Sequence, residues 1–457
     1  MSYNFRPYDQ DQLHLLPESL DDWVPEESFA RFLSEVIDHL WDSGKLKAFS
    51  DKRNKSGKGG AAFHPALMLK LLLCCYCQGV MSSRKIAQGV RNNVELRYLT
   101  GNQLPRYRAI AEFRKQHLDA LQALFVEVLV LCQEAGLAKM GKVALDGRKV
   151  QSNASLDKNR TKESLQRERE ELEKDVQRLL HEADLVDEQE DKDGAPTGAP
   201  DDLPLEFRSK QDRLRRITEA HQRLVDKENQ AKDEQAAKIE QRDHEEQETG
   251  KKKRGRKPKP VDAIKDESKA NTTDPESRIL KTRKGYVQGY NGQAMADCES
   301  QVIVAQDLTQ QENDVNQLKP MLERCEEQAG ARPQIGLFDA GYWSEENAKS
   351  GGDTTLYIAT LKDHKQRKAF KDQKAPRGRK PKNLSPREEM ERKLLTKKGK
   401  ELYKRRSGTI EPVFGQMWTR GFHRFLLRGK DKVRGEWSLW CTCHNILKLW
   451  SSGWSVG

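Results

Sequence analysis

KVALDGRKVQ, residues 142–151, sets the reading of this chain. Val143 and Leu145 lead into Asp146-Gly147, and Val150 resumes the apolar pattern. A short apolar run of this kind predicts a buried strand. A carboxylate inside one is costly unless a cation or hydrogen-bond donors meet it. IGLFDAGYW (335–343) repeats the arrangement: Ile335, Leu337 and Phe338 run into Asp339, followed by Ala340-Gly341. Asp339 thus falls at the carboxyl end of a predicted strand, where open α/β sheets place their ligands. A third carboxylate, Glu411, precedes Pro412 near the start of a helix predicted from Thr409 to Trp418, whose Val413, Phe414 and Met417 form an apolar face. Three hard oxygen donors on separate elements suit Mg²⁺ (or Mn²⁺). Two such ions can activate an attacking oxygen and stabilise a leaving oxygen in phosphoryl transfer.

Charge points to the partner. The 457 residues carry 82 Lys+Arg and 71 Asp+Glu, a net charge of +11. Residues 160–248 hold 17 basic and 27 acidic side chains, which leaves about +21 on the remainder. Clustered positive charge of that size implies a polyanion, double-stranded DNA above all, and leaves a small-molecule substrate unexpected. The most apolar stretch, Ala66 to Cys77, is interrupted by Lys70 and is too short to cross a bilayer. MSYNFRPYDQ has no signal-like apolar stretch, so a cytoplasmic, nucleoid-associated protein without a membrane partner is expected. Eight cysteines lie mostly in apolar helical patterns and read as reduced core residues; Cys74 and Cys77 form a CxxC without a second spaced pair.

The rest of the chain supplies the surroundings. Phe29, Phe32, Leu33, Val36, Ile37 and Leu40 have helical spacing. Pro65 opens a helix that Gly79 ends, Ser82 and Ser83 can cap the next, and a long helix is predicted from Tyr107 to Glu134. The capped helix near Ser83 resembles half of a helix-turn-helix; a plain bundle explains it equally well. Leu165, Leu172, Val176, Leu179, Ala183 and Val186 have heptad-like spacing, DKDGAPTGAPDDLP breaks the helix, and Phe207, Leu214, Ile217 and Leu224 begin a second stripe that fades after residue 231. This predicts an antiparallel helical hairpin with arms of ~45 Å at ~1.5 Å per residue. KGYVQGYN and QAMADCESQVIVAQD (284–307) predict two further strands, 314–328 a helix, and TTLYIATL (354–361) a strand. Residues 362–407 are basic and poor in apolar residues, and a closing helix runs from Arg434 to Trp450. Strands alternating with helices indicate α/β layers.

Four stretches together resemble the DDE-type bacterial insertion-sequence transposases: FHPALMLKLLLCCYCQGVMSSRKIA, VALDGRKVQSNAS, FDAGYWSEEN, and GTIEPVFGQMWTRGFHRFLLRG with VRGEWSLWCTCHNILKLW. The resemblance implies an α/β fold with an RNase H-like (retroviral-integrase-like) mixed sheet, an N-terminal all-helical domain and an inserted helical hairpin. The expected divisions are an N-terminal extension (1–60), a helical domain (61–140), a catalytic domain (141–158 and 262–451), the acidic insert (159–250) and a basic linker (251–261). Within the catalytic domain lies a basic segment (362–407). Asp146, Asp339 and Glu411 are implied as catalytic, metal-binding residues, with Asp297 the rival to Asp339. Relatives carry a Tyr-Arg-Glu-Lys signature, which Tyr403, Arg406 and Glu411 fit with one extra residue; the Lys place falls at Trp418 or near Arg420.

The expected activity is metal-dependent cleavage and strand transfer of an insertion sequence, with DNA element ends and target as partners of a homodimer. The alternative is a catalytically inactive DNA-binding protein derived from a transposase; a third reading is a nuclease acting on RNA–DNA hybrids. Candidate DNA-binding residues are Arg148, Lys149, Tyr403, Arg406 and Arg424, and two copies of RGRKP containing Arg254, Arg256, Arg377 and Arg379. In those copies Gly lets the backbone sit deep in a minor groove while Arg lies along its floor. Residues 365–406, with 18 basic and 5 acidic side chains, predict salt-sensitive phosphate contacts. Trp343 is a candidate for stacking on an unpaired base, against ordinary core packing.

Overall fold

The computed structural model describes residues 19–50, 62–193, 205–249, 260–261, 269–381 and 383–456. Its helices are α1 (Leu20–Trp23), α2 (Phe29–Asp42), α3 (Pro65–Cys77), α4 (Ser83–Asn92), α5 (Val94–Leu99), α6 (Tyr107–Gln116), α7 (Leu118–Glu134), α8 (Lys162–Asp193), α9 (Leu205–Thr249), α10 (Leu318–Ala329), α11 (Glu345–Lys349), α12 (Asp363–Asp372), α13 (Pro386–Leu395), α14 (Lys397–Thr419) and α15 (Lys430–Ser451). Its strands are β1 (Lys142–Gln151), β2 (Asn159–Arg160), β3 (Ala270–Asn271), β4 (Arg278–Thr282), β5 (Gly285–Asp297), β6 (Ile303–Thr309), β7 (Ile335–Phe338) and β8 (Thr355–Ile358).

Five strands form the central sheet in the order β6-β5-β1-β7-β8, and β4 extends it beside the first half of β5. β5 is antiparallel to β1, β4 and β6, whereas β1, β7 and β8 are mutually parallel. The two strands predicted over 284–307 divide elsewhere: β5 runs unbroken through Gly292, and β6 begins only at Ile303. Gly292 is a packing residue rather than a turn. A Cβ there would lie 3.1–3.2 Å from the Trp437 ring of α15, and Trp437 Nε1 donates to Gln293 O at 3.2 Å. The outer edge of β6 is covered in part by the Asn445 amide, which accepts from Ile303 N at 2.8 Å and donates to Ile303 O at 2.8 Å. That protects a strand edge from foreign pairing.

One hydrophobic core runs from α2 to α15. α2 packs on α3 and α5, and α15 packs on both β6 and α7. Residue 60 therefore does not mark off a separate N-terminal body. The helix predicted over 107–134 breaks at His117, whose ring bonds to Phe113 O and Phe49 O. Ser82 precedes α4 without a side-chain capping bond. The basic stretch 362–407 is largely helical. Met390, Leu394, Leu402 and Tyr403 are buried there while most Lys and Arg side chains face outward.

The acidic insert forms the helix pair α8 and α9. Its apolar seam is short: Leu165 and Leu172 meet Ile217, Ala220 and Leu224, with Ala270 beneath. Ion pairs Arg213–Glu168 (2.5 Å), Lys210–Asp175 (3.1 Å) and Lys162–Glu228 (2.5 Å) join the arms. α9 continues past the fading stripe to Thr249, supported by i,i+4 pairs such as Arg242–Glu246 (2.9 Å). The Gly/Pro turn at 194–204 lies outside the described residues. Among the described residues no helix is long and apolar enough to cross a membrane.

Candidate active site

The parallel register aligns Ala144 with Leu337. Two residues beyond that pair in each chain segment stand Asp146, within β1, and Asp339, just past the end of β7. Asp339 ends β7 and caps the turn Ala340–Tyr342, accepting from Gly341 N at 2.9 Å. Asp146 Oδ1 accepts from Gly147 N at 2.8 Å. Burial, followed by the Asp339 charge, pushes the Asp146 carboxyl up to about 7. Burial also raises Asp339, against the opposing pull of Arg406 and of Gly341 N–H. Two neighbouring carboxylates short of water call for positive charge.

α14 supplies some. It packs against β1, β5 and β7. Arg406 is buried, with Nη1 3.3 Å from Asp146 Oδ2 and Nη2 3.9 Å from Glu411 Oε1. Burial works against its charge, but Tyr403, Asp146 and Asp339 more than offset this and hold the guanidinium above its ordinary value. Tyr403, its ring 5.9 Å from Arg406 Cζ, is driven by burial up to about 12. Tyr403 Oη and Arg406 Nε are buried without hydrogen-bond partners among the described residues.

Glu411 is not at a helix start, as its place before Pro412 had suggested. α14 begins at Lys397 and passes through Pro412. Proline removes the N–H that would bond the carbonyl four residues back, and its ring crowds that carbonyl. The carbonyl belongs to Gly408, and Gln301 Nε2 donates to it at 3.2 Å from outside the helix. The helix stays continuous, and Glu411 projects with its side chain 55% exposed.

The structure brings Asp146 and Asp339 together and joins Glu411 to them through Arg406. Among the described residues, no three His, Cys, Asp or Glu side chains are placed to hold a metal ion in this conformation. Arg406 lies between Asp146 and Glu411, with one guanidinium nitrogen turned to each. The donors fit a divalent cation in kind: all are hard carboxylate oxygens, and burial raises Asp146 and Asp339 in the absence of such a charge. Asp297 is not a rival: it lies opposite Val143 and caps a turn, accepting from Glu299 N (2.8 Å) and Ser300 N (3.0 Å).

A fourth carboxylate was not foreseen. Asp314 Oδ1 accepts from Asn291 Nδ2 and Gln293 Nε2, each at 2.7 Å, and Gln293 Oε1 accepts from Tyr342 OH at 2.5 Å. Its charge acts on both Asp146 and Asp339. The available signal was the amides Asn291 and Gln293 close together in a strand, since buried amides require partners.

The basic candidates differ in their commitments. Arg148 lies 4.9 Å over the half-exposed Trp418 ring, and Lys149 Nζ donates to Lys281 O at 2.8 Å. Arg424 is exposed where the chain bridges to Gln151. Arg377 and Arg379 are exposed, with Gly378 O held by Arg392 Nη2 at 3.0 Å. Arg254 and Arg256 lie outside the described residues. Trp343 is partly buried against the core, and seven of the eight cysteines are buried.

Residues 18–116 match the family model described as a transposase domain (DUF772), and residues 365–450 match a transposase DDE domain. The second match contains Tyr403, Arg406 and Glu411; Asp146 and Asp339 lie outside both. No curated protein and no solved structure matches the chain. Transposase matches over the N-terminal helices and over the helices that carry Arg406 and Glu411 thus support an insertion-sequence transposase of the DDE type.

Proposed function

We infer that the protein cuts the ends of a DNA element and joins them to target DNA, using Asp146, Asp339 and Glu411. The observation that carries this reading is the pairing of Asp146 with Asp339 on adjacent parallel strands, facing a helix from the DDE match. The sheet supports an RNase H-like arrangement: three antiparallel strands (β6, β5, β1) followed by two parallel ones (β7, β8). A divalent ion held by Asp146 and Asp339, with Glu411 as third donor, would activate the attacking oxygen and stabilise the leaving one. Arg406 holds the carboxylate pair in place and keeps positive charge where a phosphodiester enters. Arg148, Lys149, Arg377, Arg379 and Arg424 hold the DNA backbone, and two copies of the chain serve the two element ends.

The test is Mg²⁺-dependent nicking of a duplex carrying the element's terminal sequence. Wild type cuts and joins; Asp146→Ala and Asp339→Ala bind the duplex and leave it intact. Equal cutting by these variants overturns the reading. The position of Arg406 between Asp146 and Glu411 favours one second reading, a DNA-binding chain without catalysis. Binding without cutting under any divalent metal would select it.

A further inference from the structure

A cavity of about 900 Å³ opens at the root of the helical insert, between α9, the 273–278 segment and the start of α15. The seam against α8 uses Ile217, Ala220 and Leu224, so α9 turns a different face, that of Arg216, Glu219 and Arg223, toward the cavity. Arg278 enters from β4, and Arg215 and Lys432 lie exposed on its lining.

Arg215 pairs along the helix surface with Asp212 (3.3 Å) and Glu219 (4.0 Å), but the acids beside the inner arginines are engaged elsewhere. Asp274 is buried and accepts from Tyr290 OH (2.9 Å) and Gly429 N (3.2 Å), while Glu276 Oε2 accepts from Lys430 N at 2.6 Å. Neither Arg223 nor Arg278 makes a salt bridge among the described residues. Arg223 Nη2 reaches only Glu276 O, at 3.5 Å, and Arg223 Nη1 is buried without a partner. Arg278 Nη1 makes three long contacts to main-chain carbonyls, at 3.3–3.4 Å. Burial lowers both guanidiniums, Arg278 to about 10 with the Arg223 charge adding to the effect. Asp274 and Glu276 act on both guanidiniums through space without a side-chain ion pair to either, and two adjacent, partly desolvated arginines with unsatisfied N–H groups suit phosphate oxygens.

We propose that this cavity binds backbone phosphates of duplex DNA through Arg223 and Arg278, making the root of the insert a second DNA contact away from the catalytic carboxylates. The proposal rests on the reading of the chain as a DNA-handling enzyme. It gives the insert a role beyond that of a solvated protrusion.

Fluorescence anisotropy with the full chain, a random-sequence 30-base-pair duplex and a chelator tests it. Each neutralised phosphate adds ~0.9 to the slope of log affinity against log salt. Arg223→Gln with Arg278→Gln therefore lowers the slope by about two, and between 50 and 200 mM salt wild type loses roughly tenfold more affinity than the variant. Arg215→Gln with Lys432→Gln, at exposed positions where Arg215 gives up only helix-surface pairs with Asp212 and Glu219, lowers it by one to two and decides the matter if the inner pair fails to fold. Lys174→Gln with Arg178→Gln, on α8 outside the cavity, leaves it unchanged. A wild-type slope in the cavity variants overturns the proposal, as does an equal loss in the α8 control. Wild type that shows no salt-dependent duplex binding overturns the DNA reading itself.

Discussion

Arg406 Nη1 stands 3.3 Å from Asp146 Oδ2, a buried cation set against a carboxylate that burial would otherwise neutralise. Through its other nitrogen the same fork reaches Glu411 at 3.9 Å. Lysine, a single point charge, cannot span both. Arg406→Gln should destabilise the fold by an amount approaching the roughly 3–5 kcal/mol of a broken buried pair, reduced because Asp146 keeps some solvent. Arg406→Lys should recover most of the stability and little of the DNA cleavage. Urea unfolding and a nicking assay on both variants check this; equal recovery of both properties by Lys would refute the bridging role.

The raised carboxyl of Asp146 makes stability depend on pH. The folded chain holds that proton up to about pH 7, whereas the unfolded chain releases it near 3.8. Between those values the folded state binds more protons, so this group's contribution to stability declines as pH rises. Asp146→Asn removes the effect. The variant should exceed wild type in unfolding free energy at pH 8, with the gap closing as pH falls toward 4. Denaturant unfolding in a chelator across that range measures it. A gap that does not change with pH would show that Asp146 ionises freely in the folded protein.

Divalent metal should act on the same pair. A cation that binds only the folded state stabilises it by RT ln(1 + [L]/Kd), about 2.7 kcal/mol at a hundredfold excess over Kd. Mn²⁺ should therefore raise the melting temperature of wild type and leave that of Asp146→Asn with Asp339→Asn unmoved. Because metal and Arg406 compete for the same carboxylate oxygens, Arg406→Gln should bind the ion more tightly than wild type. Calorimetric titration of the three proteins decides; identical Mn²⁺ responses would place the ion elsewhere.

The carboxylates on strands were legible because an apolar run that stops at Asp stands out in a basic chain. Val143–Leu145 before Asp146 and Ile335–Phe338 before Asp339 both became strands at those places. The beginning of α14 was not legible. Leu402, Tyr403, Arg406 and Ile410 continue the face of Val413 and Met417 toward the N-terminus, but the lysines and arginines between them dilute the pattern. Asp314 was hidden for another reason: it sits in the polar stretch QENDVNQ, and the pairing of β5 with β6, which sets Asn291 opposite Thr309, carries Asn291 and Gln293 to it. The wedge of Arg406 between the acids depends on tertiary placement and has no local sequence signal at all.

Gln301 and Pro412 form a compensating pair. Gln301→Ala leaves the exposed Gly408 carbonyl to water alone, a loss of about 0.5–1 kcal/mol. Pro412→Ala restores a main-chain N–H that can bond the same carbonyl, so in the Gln301→Ala background it should recover part of that loss. In the wild-type background it should do little, because the carbonyl is already satisfied. A double-mutant cycle by chemical unfolding gives the interaction energy. Purely additive effects would show that Gln301 stabilises the chain only through its contacts with Gln416 and Lys448.

Gly147 cannot accept a side chain unless the polar groups around it move. A Cβ there would fall 2.2 Å from Gln293 Nε2, 2.6 Å from Asp314 Oδ1 and 2.8 Å from Asn291 Oδ1, so the amide pair that holds Asp314 would have to move. Gly147→Ala should cost about 1–3 kcal/mol as an overpacked site. It should also release Asp314 from its two 2.7 Å bonds and change the field on Asp146 and Asp339. Asp314→Asn keeps the size of that side chain and removes its charge, which separates packing from electrostatics. It should lower the Asp146 carboxyl, moving the pH midpoint of the Asp146-dependent stability toward acid, while Gly147→Ala lowers stability at every pH. Parallel unfolding profiles for the two variants would mean that Asp314 acts through space-filling alone.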